Sequence, residues 1–230
     1  MPEPTRPVPA KGRRCSVLCY GDSNTWGSVP GSEYARFGPD VRWPRVMASA
    51  LGDGFEVHEA GLGGRTTAFD LLPWSWRRGT QLLVPTMETT APLDLVVILL
   101  GTNDVSLPHL TVPDIVRGAG ELVTIVRSCG DLGPTPGQAP VPLLVAPHVI
   151  GPLGADDEPR GIGAPERSRA LGPALREWAE RAGCAFADLA GVVDASPDDP
   201  WHWEPAGHAA AAAAIGAAVR STLEIRSSQA

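Results

Sequence analysis

Four short blocks in this chain carry side chains suited to covalent chemistry. The first is Gly21-Asp22-Ser23-Asn24-Thr25, directly after an apolar run. A serine at a strand-to-helix turn exposes its hydroxyl and holds its own N–H at a helix N-terminus, where developing negative charge is stabilised. The same residues also suit a plain helix cap, since Ser and Asp are favoured there. The second block, Gly61-Leu62-Gly63-Gly64-Arg65-Thr66-Thr67, lets a ligand approach the backbone and offers the Gly64 N–H as a donor. Taken alone it is an ordinary glycine turn, with Arg65 a loop ion-pair residue. The third, Gly101-Thr102-Asn103-Asp104, offers the neutral Asn103 amide to an oxyanion, or else forms an Asx-turn that ends a strand. The fourth is Asp199-Pro200-Trp201-His202. A carboxylate three residues ahead of an imidazole can accept from Nδ1–H and leave Nε2 to take a hydroxyl proton. Its plain alternative is a surface turn with an exposed histidine.

Each block is weak alone. Together they supply a nucleophile (Ser23), a base (His202), an acid that orients it (Asp199) and three oxyanion donors: the N–H groups of Ser23 and Gly64 and the Asn103 amide. The nucleophile block is not G-x-S-x-G, because Thr25 stands where the second glycine would be.

These residues need elements to position them. Ser16–Tyr20 reads as a first buried strand, Trp43–Leu51 as a helix stopped by Gly52, and Phe55–Ala60 as a second strand. Asp94–Leu100 is β-branched and apolar on both faces, as in a central parallel strand. Pro113–Ser128 is an amphipathic helix, and Pro142–Ala146 is a fourth strand. Glu166–Ala182 is a helix with a kink expected at Gly172-Pro173, Cys184–Ala187 is a fifth strand, and Pro205–Leu223 is an Ala-rich terminal helix. Such alternation predicts an α/β fold, a five-stranded parallel sheet covered by helices on both faces. Sites on these sheets lie beyond the carboxyl ends of the strands. The first three blocks each follow a predicted strand.

Composition narrows the class. The 230 residues suit one domain, expected over 15–225, with a flexible N-terminal tail at 1–14 and a C-terminal tail at 226–230. Nineteen basic against 26 acidic residues give a formal charge of −7, which disfavours nucleic acid and anionic membranes as partners. The Pro-rich start lacks an apolar signal core, and the run Leu95–Leu100 is too short to span a bilayer. Four cysteines without a CxxC pair argue against a zinc site and suit a reducing, cytoplasmic compartment.

In content and order the four blocks resemble the SGNH/GDSL hydrolase family. Its S, G, N and H correspond to Ser23, Gly64, Asn103 and His202, with Asp199 as the acid. The stretches GDSNTWGSVP, RFGPDVRWP, FEVHEAGLGGRTT and APLDLVVILLGTND are most similar to the bacterial arylesterase/acyltransferase branch. The resemblance covers most of the chain from about Ser16. It implies a flavodoxin-like, three-layer doubly wound fold, a small-molecule ester as substrate, and no metal or other cofactor. It also implies acyl transfer to alcohols or peroxide in some relatives, and leaves a homo-oligomer open.

Three features depart from the relatives. Asn24 stands where the family name implies leucine, and is expected to make the cleft mouth more polar. The stretches Asp70–Thr90, with Trp74 and Trp76, and Pro147–Arg160 are distinctive and expected to line the acyl or alcohol pocket. Around the site, Trp26 lies one turn after Ser23, either as a wall of the cleft or as core. Trp201 and Trp203 flank His202, one expected under the terminal helix and the other in the cleft. His148 is expected to contact substrate, and is a weaker base candidate than His202. Arg42 reads as a solvated or ion-paired charge. Two other functions stay open: a metal-dependent phosphoesterase, for which the His and Asp spacing is poor, and a catalytically silent binding protein on the same fold.

Overall fold

A computed structural model of the chain describes residues 12–154 and 161–229, with side chains described as far as residue 225. Most of the expected N-terminal tail and residues 155–160 of the Pro147–Arg160 stretch lie outside the described residues. Of the tail, Gly12 to Arg14 are described, and the Arg13 guanidinium donates to the Asp94 carboxylate at 2.7 Å.

The strands are β1 (Cys15–Gly21), β2 (Phe55–Gly61), β3 (Leu95–Leu99), β4 (Val141–Ala146) and β5 (Ala185–Asp188). They form one all-parallel sheet in the order β2-β1-β3-β4-β5. Chain direction across the sheet therefore reverses between β1 and β3, and the strand ends there open a crevice. The larger helices are α2 (Trp43–Leu51), α3 (Gly79–Thr90), α5 (Val112–Ser128), α6 (Ala164–Ala182) and α7 (Pro205–Gln229). Two single-turn helices, α1 (Ser23–Trp26) and α4 (Thr102–Val105), open the loops after β1 and β3.

Alternation along the strands divides the core in two. Leu18, Tyr20, Val96, Ile98, Leu144 and Ala146 face α3, α5 and α6, while Val17, Cys19, Val97, Leu99, Leu143 and Val145 face α2 and α7. All five residues of β3 are buried, as an interior strand covered on both sides requires. This is the predicted doubly wound α/β architecture, with strand boundaries within a residue or two of expectation.

Differences from expectation are local. α6 begins at Ala164, two residues before the expected Glu166, and is helical on both sides of Gly172 and Pro173. α7 continues to Gln229, six residues past the expected end at Leu223 and through most of the residues expected as a tail. Helix α3 was not anticipated. Pro85 sits inside it, and four of its residues are threonine, a weak helix former. The hydroxyls of Thr86 and Thr90 turn back onto helix carbonyls at 2.7 and 2.9 Å, so the helix satisfies them internally. α5 begins with a capping box of Thr111 and Asp114, which satisfies N–H groups that have no partner within the helix.

Candidate active site

The register of the sheet sets Gly21 beside both Gly61 and Leu99. The loops after β1, β2 and β3 therefore leave the sheet side by side. Ser23 is the first residue of α1, immediately beyond β1. The Asp22 side chain caps that turn by accepting from the Asn24 N–H at 3.0 Å. Gly61 lets α1 pack against the end of β2, because a Cβ there would collide with the Trp26 backbone. Gly64 has φ +72°, a conformation open to glycine, and a Cβ there would also meet the Arg77 guanidinium at 2.6 Å.

The loop carrying Gly64 is bonded to the turn carrying Asn103. The Asn103 Nδ2 donates to the Arg65 carbonyl at 3.0 Å, which leaves its second N–H for another acceptor. Asp104 accepts from both the N–H and the hydroxyl of Thr67, at 3.0 and 2.5 Å. Arg65 is buried against the Tyr20 ring, 3.9 Å from its centre, and donates to the carbonyls of Gly21 and Ala60. It is not the loop ion-pair residue that sequence alone allowed, but ties the ends of β1 and β2 together through backbone carbonyls. Arg42 forms a two-point ion pair with Glu59 at 2.9 Å.

The fourth block arrives from the other end of the chain. His202 Nε2 lies 3.0 Å from Ser23 Oγ, and His202 Nδ1 lies 2.7 Å from Asp199 Oδ2. The Asp199 carboxylate also accepts from the backbone N–H groups of Gly31, Trp201 and His202, at 3.1, 2.8 and 3.2 Å. Partial burial works to raise the Asp199 carboxyl. The hydrogen bond and charge of His202 and the N–H groups of Gly31 and Trp201 outweigh it, and hold the group well below the usual carboxylate range. A carboxylate kept ionised in this way can stabilise the imidazolium formed when Ser23 gives up its proton. Two further acids lie beneath the site. Burial pushes Asp22 and Asp104 up to about 6, against the hydrogen bonds each accepts.

Residues 19–210 match the GDSL-like lipase/acylhydrolase family. The chain belongs to that family. A search among curated proteins finds no match. Solved structures do match. The inhibitor-bound aryl esterase of M. smegmatis is 34% identical with TM-score 0.85, over 90% of this chain and 99% of that one. Est24, a carbohydrate acetylesterase from Sinorhizobium meliloti, is 33% identical with TM-score 0.86, over 91% of this chain and all of that one. The chain is accordingly a carboxylic ester hydrolase of the SGNH/GDSL type, on the arylesterase branch. Among the described residues, no three His, Cys, Asp or Glu side chains gather where they could hold a metal ion. No described helix is long and apolar enough to cross a membrane.

Two expected substrate contacts of this hydrolase need correction. His148 and Trp203 are both fully buried, and the Trp203 indole N–H donates to His148 Nδ1 at 2.9 Å. Neither side chain reaches solvent, so neither can touch a substrate. Trp203 packs on the α7 side of the sheet, with His208 edge-on at 5.4 Å. Burial also drives His148 down to about 4, so it is neutral near pH 7. Trp26 and Trp201 are half-buried; Trp26 carries the Arg36 guanidinium 5.1 Å from its ring centre. Of the two tryptophans in the Asp70–Thr90 stretch, Trp76 is exposed and Trp74 lies under Arg77. Asn24 is not at the cleft mouth either: it is 1% exposed, and its side chain points at the Trp201 carbonyl. Sequence reading assigned no role to Gly31, Asp104 or Thr67. Their contributions are tertiary bonds; Thr67 and Asp104 lay within blocks already singled out, and Gly31 lay outside all four.

Proposed function

We propose that Ser23 is the nucleophile of this esterase, that His202 is its general base and acid, and that Asp199 orients and stabilises the imidazolium. The Ser23 oxygen bonds to the ester carbonyl carbon as its proton passes to His202 Nε2. The tetrahedral oxyanion accepts from the N–H groups of Ser23 and Gly64 and from the Asn103 amide, each such donor contributing about 3 kcal/mol to the transition state. The carbon–oxygen bond to the leaving alcohol then breaks, and that alcohol takes the proton from His202. A water molecule, deprotonated by His202, attacks the acyl-Ser23 ester, releasing the carboxylic acid and restoring the hydroxyl.

The observation that carries this reading is the relay itself, 2.7 Å from Asp199 to His202 and 3.0 Å from His202 to Ser23. Short-chain and aryl esters are the proposed substrates. Support comes from the likeness to an aryl esterase and a carbohydrate acetylesterase, and from half-buried Trp26 and Trp201 flanking the relay in sequence. Alcohols, and peroxide, are proposed as alternative acyl acceptors. Ser23→Ala should remove p-nitrophenyl acetate hydrolysis while the fold, followed by circular dichroism, is kept. A serine-directed fluorophosphonate should label Ser23 in the native protein. Full turnover by the Ala variant would exclude the serine mechanism.

A further inference from the structure

The base sits on a segment that is neither strand nor helix, residues 199–203, and that segment must be held within hydrogen-bond reach of Ser23. Its backbone and side chains are gripped residue by residue. The Gly151 N–H donates to the Pro200 carbonyl at 3.0 Å, and the Ser196 N–H to the His202 carbonyl at 2.8 Å. The Trp203 indole is anchored on His148. The Trp201 carbonyl accepts from Asn24 Nδ2 at 3.0 Å. The last comes from the segment that bears the nucleophile, as does the Gly31 N–H bond to the Asp199 carboxylate.

Asn24 follows Ser23 directly, and its own N–H is tied to the Asp22 carboxylate at 3.0 Å. Its amide orientation is fixed by chemistry, since a carbonyl oxygen can only accept and the atom facing Trp201 must be nitrogen. The Trp201 carbonyl belongs to the same planar peptide unit as the His202 N–H. That N–H donates to Asp199 Oδ1 at 3.2 Å. One rigid peptide is therefore held on its oxygen side by the residue after the nucleophile, and on its nitrogen side by the acid. Rotation of this peptide would swing the His202 ring away from Ser23. The Asn24 Oδ1 is buried without a hydrogen-bond partner among the described residues, which is costly for a residue serving only as core.

We propose that Asn24 is a positioning residue that sets the distance between Ser23 and His202 by holding the Trp201–His202 peptide against the nucleophile turn. This rests on the proposed roles of Ser23 and His202. At 1% exposure Asn24 does not touch substrate, so its influence runs through the base.

The test uses Asn24→Leu, of similar size but without a donor, and Asn24→Ala as a second variant that cannot overfill the site. Displacing a catalytic group by about 1 Å can cost on the order of 10²-fold in rate. The expected result in p-nitrophenyl acetate hydrolysis is a kcat lower by roughly 10- to 100-fold, with KM close to that of the native enzyme. The pair Asn24→Leu/His202→Ala should be no slower than His202→Ala alone, since a positioning residue has nothing left to position. Unchanged kcat in both variants would overturn the inference. So would a loss of equal size in the His202→Ala background, or a rise in KM with kcat retained. Failure of the underlying reading is separable: an active Ser23→Ala variant would overturn the mechanism, whereas an inactive Ser23→Ala with a fully active Asn24→Leu overturns only the role of Asn24.

Discussion

Replacing His208 by phenylalanine should flatten the acid side of the stability profile. His208 is fully buried, with its ring edge-on to Phe37 and Trp203 at 5.3 and 5.4 Å. Neither ring nitrogen has a hydrogen-bond partner among the described residues. Burial first, and then electrostatic interaction with His202 and Arg42, lower it from the ordinary 6.5 to about 4. The unfolded chain takes up this proton as pH falls below 6.5, whereas the folded chain resists until about 4. The stabilising preference for the neutral ring is therefore complete above 6.5 and lost progressively as pH falls toward 4. Linkage between those two values makes the loss about 2 kcal/mol between pH 7 and pH 5. For a chain of this size that is about 4–8 °C in Tm. Asp22 and Asp104 act with the opposite sign. Their folded values are raised to about 6, so they cost stability as pH rises through that range and return it on acidification. The net profile mixes both, but subtracting the His208→Phe profile from that of the native protein cancels the acids. The assay is thermal unfolding by circular dichroism at several pH values between 5 and 7.5. The native protein should lose about 4–8 °C more than the variant over that fall in pH. Parallel curves would refute the argument, whatever the constant offset that the larger ring introduces.

Three further outcomes follow from the site. Asn103→Ala should lower kcat by roughly 10²–10³ with KM nearly unchanged, because the donor acts mainly in the transition state; a raised KM with unchanged kcat would make Asn103 a ground-state contact. Gly64→Ala should lose most activity and about 1–2 kcal/mol of stability in urea unfolding, because alanine is disfavoured at φ +72° and its Cβ would meet Arg77; native-like turnover would remove Gly64 from the oxyanion hole. An aryl acetate with benzyl alcohol in aqueous buffer should give benzyl acetate alongside acetate, with Ser23→Ala as the blank, and Trp26→Ala should lower the ester-to-acid ratio more than total turnover. Acid alone near alcohol saturation would mean that water is the acceptor.

How far this protein could be read from its sequence varied with the kind of interaction. β3 was legible because five consecutive buried apolar residues have few alternatives in an α/β chain. α2 was legible from Pro44 in its first turn and Gly52 at its end. α3 was not, because Pro85 and the threonines lower its local helix preference, and it is packing of Leu83 and Met87 into the core that supports it. The first three blocks were legible because each directly follows a strand and the register brings their loops to one edge; the fourth was legible from the spacing of Asp199 and His202. His148 was misassigned because its position after β4 suggested proximity to the cleft, while burial of its ring depends on Trp203, fifty-five residues away. Asn24 was misread for the same reason: its partner lies 177 residues downstream.

The parts of the site are held by different means. Ser23 and the proposed oxyanion donors Gly64 and Asn103 sit two to four residues beyond parallel strands whose register is set by the sheet, so their relative placement follows from the core. The loops of the second and third blocks need only short cross-links, from Asn103 to Arg65 and from Asp104 to Thr67. His202 has no strand behind it. Ser196 pairs with Asp199 in an isolated bridge, and the segment then turns directly into α7. A segment of this kind has more conformations open to it, and fixing each residue costs roughly 1–2 kcal/mol in backbone entropy. That cost is offset by the three N–H groups converging on Asp199 and by bonds from the β4 loop and from Asn24. Asp199 is thus both the partner of the imidazole and the centre around which its loop closes. Removing its carboxylate would free the loop as well as the ring. The rate lost in an Asp199→Ala variant would therefore measure two effects together, whereas Asn24→Leu leaves the Asp199–His202 pair in place and isolates the effect of loosening the loop.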